Sequence, residues 1–358
     1  MSGCLEKEIE NIIGKFQGNN LEYVNTVSGS NEKAKTKLYE LIWEPMEQHL
    51  KGVKNIYYSP SGLLHKISFS AIGIKKNTLL CDRYDINQES STSSIAQSEK
   101  KQYTSNGNFL LVGAVEYNSD TTTNKTWSFL NGSKTETEQI KQLSSKNNQH
   151  VNYLIGEEAT EEKIKTLSKT SNVIHIAKHG FFFPNPDLAR NAFETYETEG
   201  KDIKFRGTTN YANWSFVNNK NPLMRSGIVL AKANDVWQRS ATTPGEDGIL
   251  TAEEVSNLDL RKTDFVVLSA CETGLGEIKG SDEVYGLERG FKIAGARYLI
   301  MSLWQVADDE TAEFMTMFYK NLYDLENIPA AFKKTQNEMR SKYDPYYWAA
   351  FVLIKLKT

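Results

Sequence analysis

Apolar residues along this chain follow two rhythms, and the change from one to the other outlines the fold. Within residues 1–50, Leu38, Leu41, Ile42, Met46 and Leu50 recur at steps of three and four, one face of a helix, with Pro45 inside the stripe. From Asn55 the period shortens. Ile56-Tyr57-Tyr58, then Ser59-Pro60-Ser61-Gly62, then Leu63-Leu64-His65-Lys66-Ile67 predict strand, turn and strand. Further apolar runs of strand length occupy 109–114, 151–155, 226–231 and 297–303. Between them lie helix signals. Thr135 and Glu138 have capping-box spacing, Thr160 opens a helix over 160–168 with Lys163 at its third position, and Thr251-Ala252-Glu253-Glu254-Val255 starts a short one. Residues 284–294 and 329–341 are helical in pattern, and Asp308 is placed to cap a long helix, with Asp309 and Glu310 suited to its N-terminal dipole. An apolar run over 348–356 closes the chain. Strands alternating with helices predict an α/β fold with a mostly parallel, doubly wound sheet. Two stretches break the rhythm. Residues 87–107, rich in Ser, Gln, Asn and Lys, predict a surface connection, and 184–222, with Pro184, Pro186 and Pro222, a functional or mobile segment.

Two of the apolar runs end in reactive side chains. Val173-Ile174-His175-Ile176-Ala177-Lys178-His179-Gly180 reads as a buried strand ending in His-Gly, and Phe265-Val266-Val267-Leu268-Ser269-Ala270-Cys271 as another ending in a cysteine. The carboxyl ends of strands are where an open α/β sheet keeps its site, so the two suggest a cysteine–histidine dyad. The plainer alternative is an inert buried thiol, since free cysteine is among the most buried residue types. Against it, the apolar run stops at Cys271, and Glu272-Thr273-Gly274-Leu275-Gly276 begins there, which puts the thiol at the rim. A thiolate needs an imidazole to stabilise it and to protonate the leaving amine, and backbone N–H donors for the oxyanion. Gly180 permits close approach of the backbone, and the Cys271 N–H is a second donor.

Composition narrows the class. A chain of 358 residues with 39% hydrophobic and 11% aromatic residues can bury a large core. A net charge of −3 gives no reason to expect nucleic acid or an anionic membrane as a partner. Apolar runs stop at strand length, the N-terminus turns charged too early for a secretory signal, and three unpaired cysteine positions (Cys4, Cys81, Cys271) favour reduced thiols and a cytoplasmic setting. No repeat of about 34 residues marks a tetratricopeptide array.

The motifs go further than the spacing. Ile174-His175-Ile176-Ala177-Lys178-His179-Gly180-Phe181-Phe182 and Val267-Leu268-Ser269-Ala270-Cys271-Glu272-Thr273-Gly274-Leu275-Gly276 resemble the two signatures of the CHAT family of caspase-like proteases. Asp247-Gly248-Ile249-Leu250-Thr251-Ala252-Glu253-Glu254, Gly286-Leu287-Glu288-Arg289-Gly290-Phe291, Ala294-Gly295-Ala296-Arg297, Ser302-Leu303-Trp304-Gln305-Val306-Ala307-Asp308 and Tyr347-Trp348-Ala349-Ala350-Phe351 resemble further family blocks. The resemblance implies a helical lead-in over 1–50 and a protease domain over 51–358. The implied fold is the caspase–hemoglobinase three-layer sandwich, a mostly parallel central sheet with helices on both faces. It also implies a cysteine endopeptidase with His179 as base, Cys271 as nucleophile, and Gly180 and Cys271 as the oxyanion hole. Its expected partners are a protein substrate and a sensor or activator module, tetratricopeptide-containing in many relatives. The expected role is a regulated effector of prokaryotic defence or cell death, with no cofactor. A catalytically silent, peptide-binding scaffold is the rival expectation.

Departures and secondary residues complete the reading. Family members often carry Thr where Lys178 stands. Strand alternation turns Lys178 to the face opposite His179, either solvated or biasing the local field. Asp247, Glu272, Trp304 and Asp308 are candidates for contact with substrate. For Trp304 a core role competes, for Glu272 a loop cap, and for Asp308 its helix cap. His175 shares a strand face with His179, but the zinc-protease signature needs Glu where Ile176 stands, so a buried, hydrogen-bonded His175 is expected instead of a metal ligand. The Gly274, Gly276 and Gly280 cluster has no Lys-Ser/Thr of a phosphate loop and reads as a turn. The 184–222 segment is a candidate activation or self-cleavage region.

Overall fold

Strands read as continuous apolar runs only when both faces are covered, and that is how the middle of this protein is built. In the computed structural model, described for residues 7–9, 11–12, 20–28, 36–95, 103–118, 127–182, 216, 219–238, 247–269 and 286–356, thirteen strands form three sheets. They are β1 (Asn55–Tyr58), β2 (Gly73–Lys75), β3 (Thr78–Leu79), β4 (Asp85–Glu89), β5 (Asn108–Val115), β6 (His150–Gly156) and β7 (Ser171–Ile176), then β8 (Gly180–Phe182), β9 (Ser226–Val229), β10 (Ile249–Thr251), β11 (Phe265–Leu268), β12 (Tyr298–Ser302) and β13 (Phe351–Lys355). The large sheet has eight strands in the order β1-β4-β13-β12-β11-β7-β5-β6. Its heart, β12-β11-β7-β5-β6, is all parallel. β13 runs antiparallel to β12, while β4 and β1 follow β13 in parallel. Every residue of β11 and β12 is buried.

The principal helices are α1 (Asn20–Ser28), α2 (Asn131–Lys146), α3 (Glu161–Ser168), α4 (Ala252–Ser256), α5 (Gly286–Ala294), α6 (Asp308–Leu325) and α7 (Ile328–Arg340). Right-handed crossovers dictate their side. β5 to β6 steps one way along the sheet, and β6 to β7, β7 to β11 and β11 to β12 step the other way, so α2 lies on one face and α3, α4 and α5 on the other. α6 packs on α2 and α7 on α6, which completes the first layer, while α4 packs on α5. The result is the expected three-layer arrangement.

Several local expectations change. Residues 62–66 form a 3-10 helix, not a strand, and 85–89, partly inside the expected surface connection, is strand β4 between β1 and β13. Of the N-terminal stripe Leu38 is buried, Leu41, Ile42 and Leu50 are half-buried and Met46 is exposed, while Tyr39 and Trp43, outside the stripe, are buried. Pro45, which lacks an N–H, stands at the start of the helix Glu44–Glu47, and the turn before it, Tyr39–Trp43, widens to a π-helix. Thr135 and Glu138 lie inside α2, whose N-cap position is Leu130. Thr160 does cap α3, accepting the Lys163 N–H, and Thr251 and Glu254 complete a capping box on α4. The 348–356 run splits into the end of the short helix Pro345–Trp348 and strand β13.

Candidate active site

The chain leaves β7 and enters a second sheet within four residues, and His179 sits at that crossing. Ala177 N–H makes the last bond to the large sheet, 2.8 Å to Val112 O, and His179 O accepts the first bond of the small one, 3.0 Å from Val229 N–H. The small sheet, β10-β9-β8, is antiparallel, with Gly180 opposite Ile228. Hydrogen-bonded and non-bonded pairs alternate along such a ladder. His179 and Val229 share a bond, so the Gly180 pair is of the non-bonded kind. Its N–H points away from β9, off the edge of the sheet as described. That is the orientation an oxyanion donor needs.

Three groups pack against the imidazole. Its Nε2 lies 2.8 Å from Ser128 O. A carbonyl can only accept, so Nε2 carries the proton. The rings of Tyr117 and Trp127 pack at centroid distances of 5.2 and 5.3 Å, and the Tyr117 hydroxyl accepts the His179 N–H at 3.3 Å. Tyr117 arrives through an irregularity at the end of β5, where Ala114 takes a left-handed φ of 48° and its N–H is met by Ser133 Oγ at 3.0 Å. Trp127 and Ser128 are fixed by Asn234, which is fully buried. Its Oδ1 accepts the Trp127 N–H and its Nδ2 donates to Trp127 O, both at 2.9 Å, with a further 2.9 Å bond to Asn118 Oδ1. None of Tyr117, Trp127, Ser128 and Asn234 carried a signal in the sequence.

The second arm is β11. Leu268 pairs with Ile176 in parallel register, and the Ser269 N–H continues the ladder with a 3.1 Å bond to Ile176 O. Beneath this strand end lies a closed polar cluster. His175 Nε2 is 2.9 Å from Glu136 Oε1, His175 Nδ1 is 3.1 Å from the Tyr319 hydroxyl, and Ser269 Oγ donates to Glu136 Oε2 at 2.9 Å. All four residues are buried. A carboxylate only accepts, so Nε2 is the donor to Glu136 and the Tyr319 hydroxyl, whose pKa burial raises well above its ordinary value, donates to Nδ1. The cluster ties α2 and α6 to β7 and β11. His175 is thus the buried, hydrogen-bonded histidine expected. Glu136, Ser269 and Tyr319 were not anticipated.

A family model described as CHAT domain matches residues 32–355. The chain belongs to the CHAT domain family. Curated relatives of this CHAT chain include tetratricopeptide repeat protein 28 of Mus musculus, 26% identical over 205 residues, and of Homo sapiens, 24% over 209. Each match covers 56% of this chain and 8% of the relative, so the chain spans about a twelfth of their length. Similar solved structures include a Saccharomyces cerevisiae separase–securin complex (13% identity, TM-score 0.41, 81% of this chain and 15% of that one). Gingipain R, an Arg-specific cysteine proteinase, matches at 10% identity and TM-score 0.45 over 96% of this chain and 75% of its own. The complex of Porphyromonas gingivalis RgpB pro- and mature domains matches at 11% and 0.46, over 98% and 76%.

Other positions of the CHAT domain fall as follows. Cys271, Glu272, the Gly274–Gly276–Gly280 turn and most of 184–222 lie outside the described residues. Asp247 accepts the Ile249 N–H at 2.8 Å, which turns the chain into β10 and two strands away from His179; burial raises its pKa. Trp304 is buried, and its indole N–H donates to Tyr346 O at 2.9 Å, so its core role has direct support. Asp308 is the first residue of α6, with Ala307 at the N-cap, and it corrects the expected cap. Its Oδ2 accepts the Gly132 N–H at 3.3 Å and so serves the N-terminus of α2. Lys178 is buried, not solvated, with Nζ 2.9 Å from His179 O. Among the described residues no group of three or more His, Cys, Asp or Glu is arranged to hold a metal, and no helix is long and apolar enough to cross a membrane.

Helix α5 carries an unusual acid near its start. Glu288 is buried, its Oε2 has no hydrogen-bond partner, and burial lifts its pKa from 4.5 to about 7, with Lys292 opposing the rise. A carboxyl whose folded pKa lies above its unfolded one binds its proton more tightly in the folded state. Stability from that difference is present below about pH 4.5 and lost as pH climbs through about 7. Glu288→Gln is therefore expected to match wild type near pH 4 and to exceed it at pH 8 by on the order of 3 kcal/mol. Urea denaturation at both pH values measures the difference, and equal stability of the two proteins at pH 8 would remove the electrostatic account.

Proposed function

We propose that this CHAT chain is a caspase-like cysteine endopeptidase acting on a protein substrate through His179 and Cys271. One observation carries the reading. Every partner pair of the β7–β11 ladder is 92 positions apart, as Leu268 is from Ile176, and Cys271 is 92 positions from His179. Leu268 ends β11 beside Ile176 at the end of β7, so the strand ends that lead in sequence to Cys271 and His179 are neighbours in the large sheet. Nδ1 of His179, unprotonated while Nε2 donates to Ser128 O, takes the thiol proton. The thiolate attacks the scissile carbonyl, the carbonyl oxygen becomes an oxyanion facing the N–H groups of Gly180 and Cys271, and His179 returns the proton to the leaving amine. Water then hydrolyses the thioester, with His179 again as base.

The finer parts of the proposal rest on the family. The curated relatives are named for tetratricopeptide repeats, which supports a sensor or activator of that kind, in the same chain or a separate one. A cytoplasmic effector role in prokaryotic defence or cell death belongs to the same reading, as does substrate contact by Asp247, Glu272 and Asp308. A positional-scanning peptide library with wild type and Cys271→Ala tests the whole. Wild type should release product with one dominant P1 class, and Cys271→Ala should release none while unfolding at the same temperature. Equal turnover by the two would end the proposal. If neither turns over and a peptidyl electrophile fails to label Cys271 even with candidate activators present, the chain is a peptide-binding scaffold.

A further inference from the structure

Lysine is among the residues least often buried, because its long side chain and charge are both costly to take from water. Lys178 is buried all the same, at 1% exposure, between the last bond of the large sheet at Ala177 and the first bond of the small one at His179. Its side chain folds back along its own strand, so that Nζ donates to the carbonyl oxygen of the next residue, 2.9 Å away. That oxygen, His179 O, also accepts the Val229 N–H at 3.0 Å. The two donors together fill both lone pairs of the carbonyl at the point where the backbone changes sheet.

The neighbouring groups account for why this carbonyl matters. His179 N–H is held by the Tyr117 hydroxyl and Nε2 by Ser128 O. With the carbonyl held as well, the backbone N–H, the backbone carbonyl and Nε2 of His179 all have partners, so both the backbone and the ring are tethered at the crossing. Stability alone does not explain the lysine. A methionine of similar volume would fill the same space without a polar head, and replacing buried charged groups by well-packed apolar ones is often neutral or stabilising. Burial drives the Lys178 pKa well below the ordinary lysine value, so the amine can stay in place uncharged and still donate.

We infer that Lys178 is a positioning residue for His179: by donating to the His179 carbonyl it pins the crossing between the two sheets and so sets the imidazole on Ser128 O. The inference rests on the proposed role of His179 as base, and its test separates the two. In the full chain carrying 15N-labelled histidine, the nitrogen shifts of the His179 ring report which nitrogen bears the proton, independently of any turnover. Wild type should show the Nε2–H form. Lys178→Met, which keeps the volume and loses the donor, should show a mixture of both tautomers, while its denaturation midpoint stays at or above that of wild type. Labelling of Cys271 by a peptidyl electrophile should slow about a hundredfold, the scale of a 1 Å misplacement. Lys178→Gln, polar but too short to reach the carbonyl, should behave like Lys178→Met and covers the case in which that variant folds poorly. An unchanged His179 tautomer in both variants overturns the inference. So does a loss of the Nε2–H form that only tracks a lowered midpoint, which is the mark of a purely structural lysine. If wild type itself is not labelled at Cys271, the protease reading fails, and the tautomer measurement still decides the role of Lys178.

Discussion

His179→Ala is expected to lower kcat for a susceptible peptide by about 10²- to 10⁴-fold, the usual contribution of a positioned acid–base group. The loss should fall on kcat and kcat/KM together, because the imidazole acts on protons in flight and makes no contact that is stronger in the bound substrate than in the transition state. It should also remove most of the thiolate character of Cys271, so alkylation by iodoacetamide would shift to follow an ordinary thiol near pH 8.5. Stability should change little. The ring is only half-buried, and what it gives up includes the bond to Ser128 O and packing on Tyr117 and Trp127. Steady-state kinetics beside a thermal melt make the comparison. A variant with wild-type kcat would take His179 out of the mechanism altogether.

Glu136→Ala should act in the opposite way, through stability. Glu136 receives His175 Nε2 on one oxygen and Ser269 Oγ on the other, with its side chain 3% exposed and that of His175 fully buried. Truncation leaves an imidazole N–H and a hydroxyl in the core with no acceptor, and breaking a buried pair from one side costs about 3–5 kcal/mol. Glu136→Gln keeps one acceptor and should lose about 1–3 kcal/mol, the cost of one unsatisfied buried group. Guanidinium denaturation reads both as a lowered midpoint with an unchanged slope. Because Ser269 continues the β7–β11 ladder at the strand end, Glu136→Ala should also slow Cys271 labelling under conditions where the protein remains folded. A midpoint within about 0.5 kcal/mol of wild type, the range of ordinary surface substitutions, would show that the cluster does not hold the two strands.

Much of the fold was legible because a strand covered on both faces has to be apolar throughout. Asn108–Val115, Ser171–Ile176, Phe265–Leu268 and Tyr298–Ser302 stood out for that reason, as did the capped starts of α3 and α4. Strand β4 did not, since Asp85-Ile86-Asn87-Gln88-Glu89 is largely polar and is half-buried over most of its length. The segment 62–66 misled in the other direction. Its leucines are only partly buried against the core, and their pattern does not separate a 3-10 turn from a strand. Asp308 shows the limit of cap signals. The residue type was right for a helix N-terminus, but the helix its carboxylate serves, α2, lies 176 positions away in the chain.

By itself the sequence determined the family, the parallel sheet and the two strands, β7 and β11, that lead toward His179 and Cys271, because these depend on local runs of residues and their spacing. The tertiary structure alone decided how His179 is held. Ser128 and Tyr117 reach it from 51 and 62 positions off, and Asn234 fixes Trp127 from 107 positions along the chain. It likewise decided that Lys178 is inside and that Glu136 joins His175 to Ser269. Those contacts follow from the order in which strands lie side by side and from the face each helix covers. Burial then makes every polar group find a partner wherever the sheet order has brought one, and no pattern along the chain records which group that is.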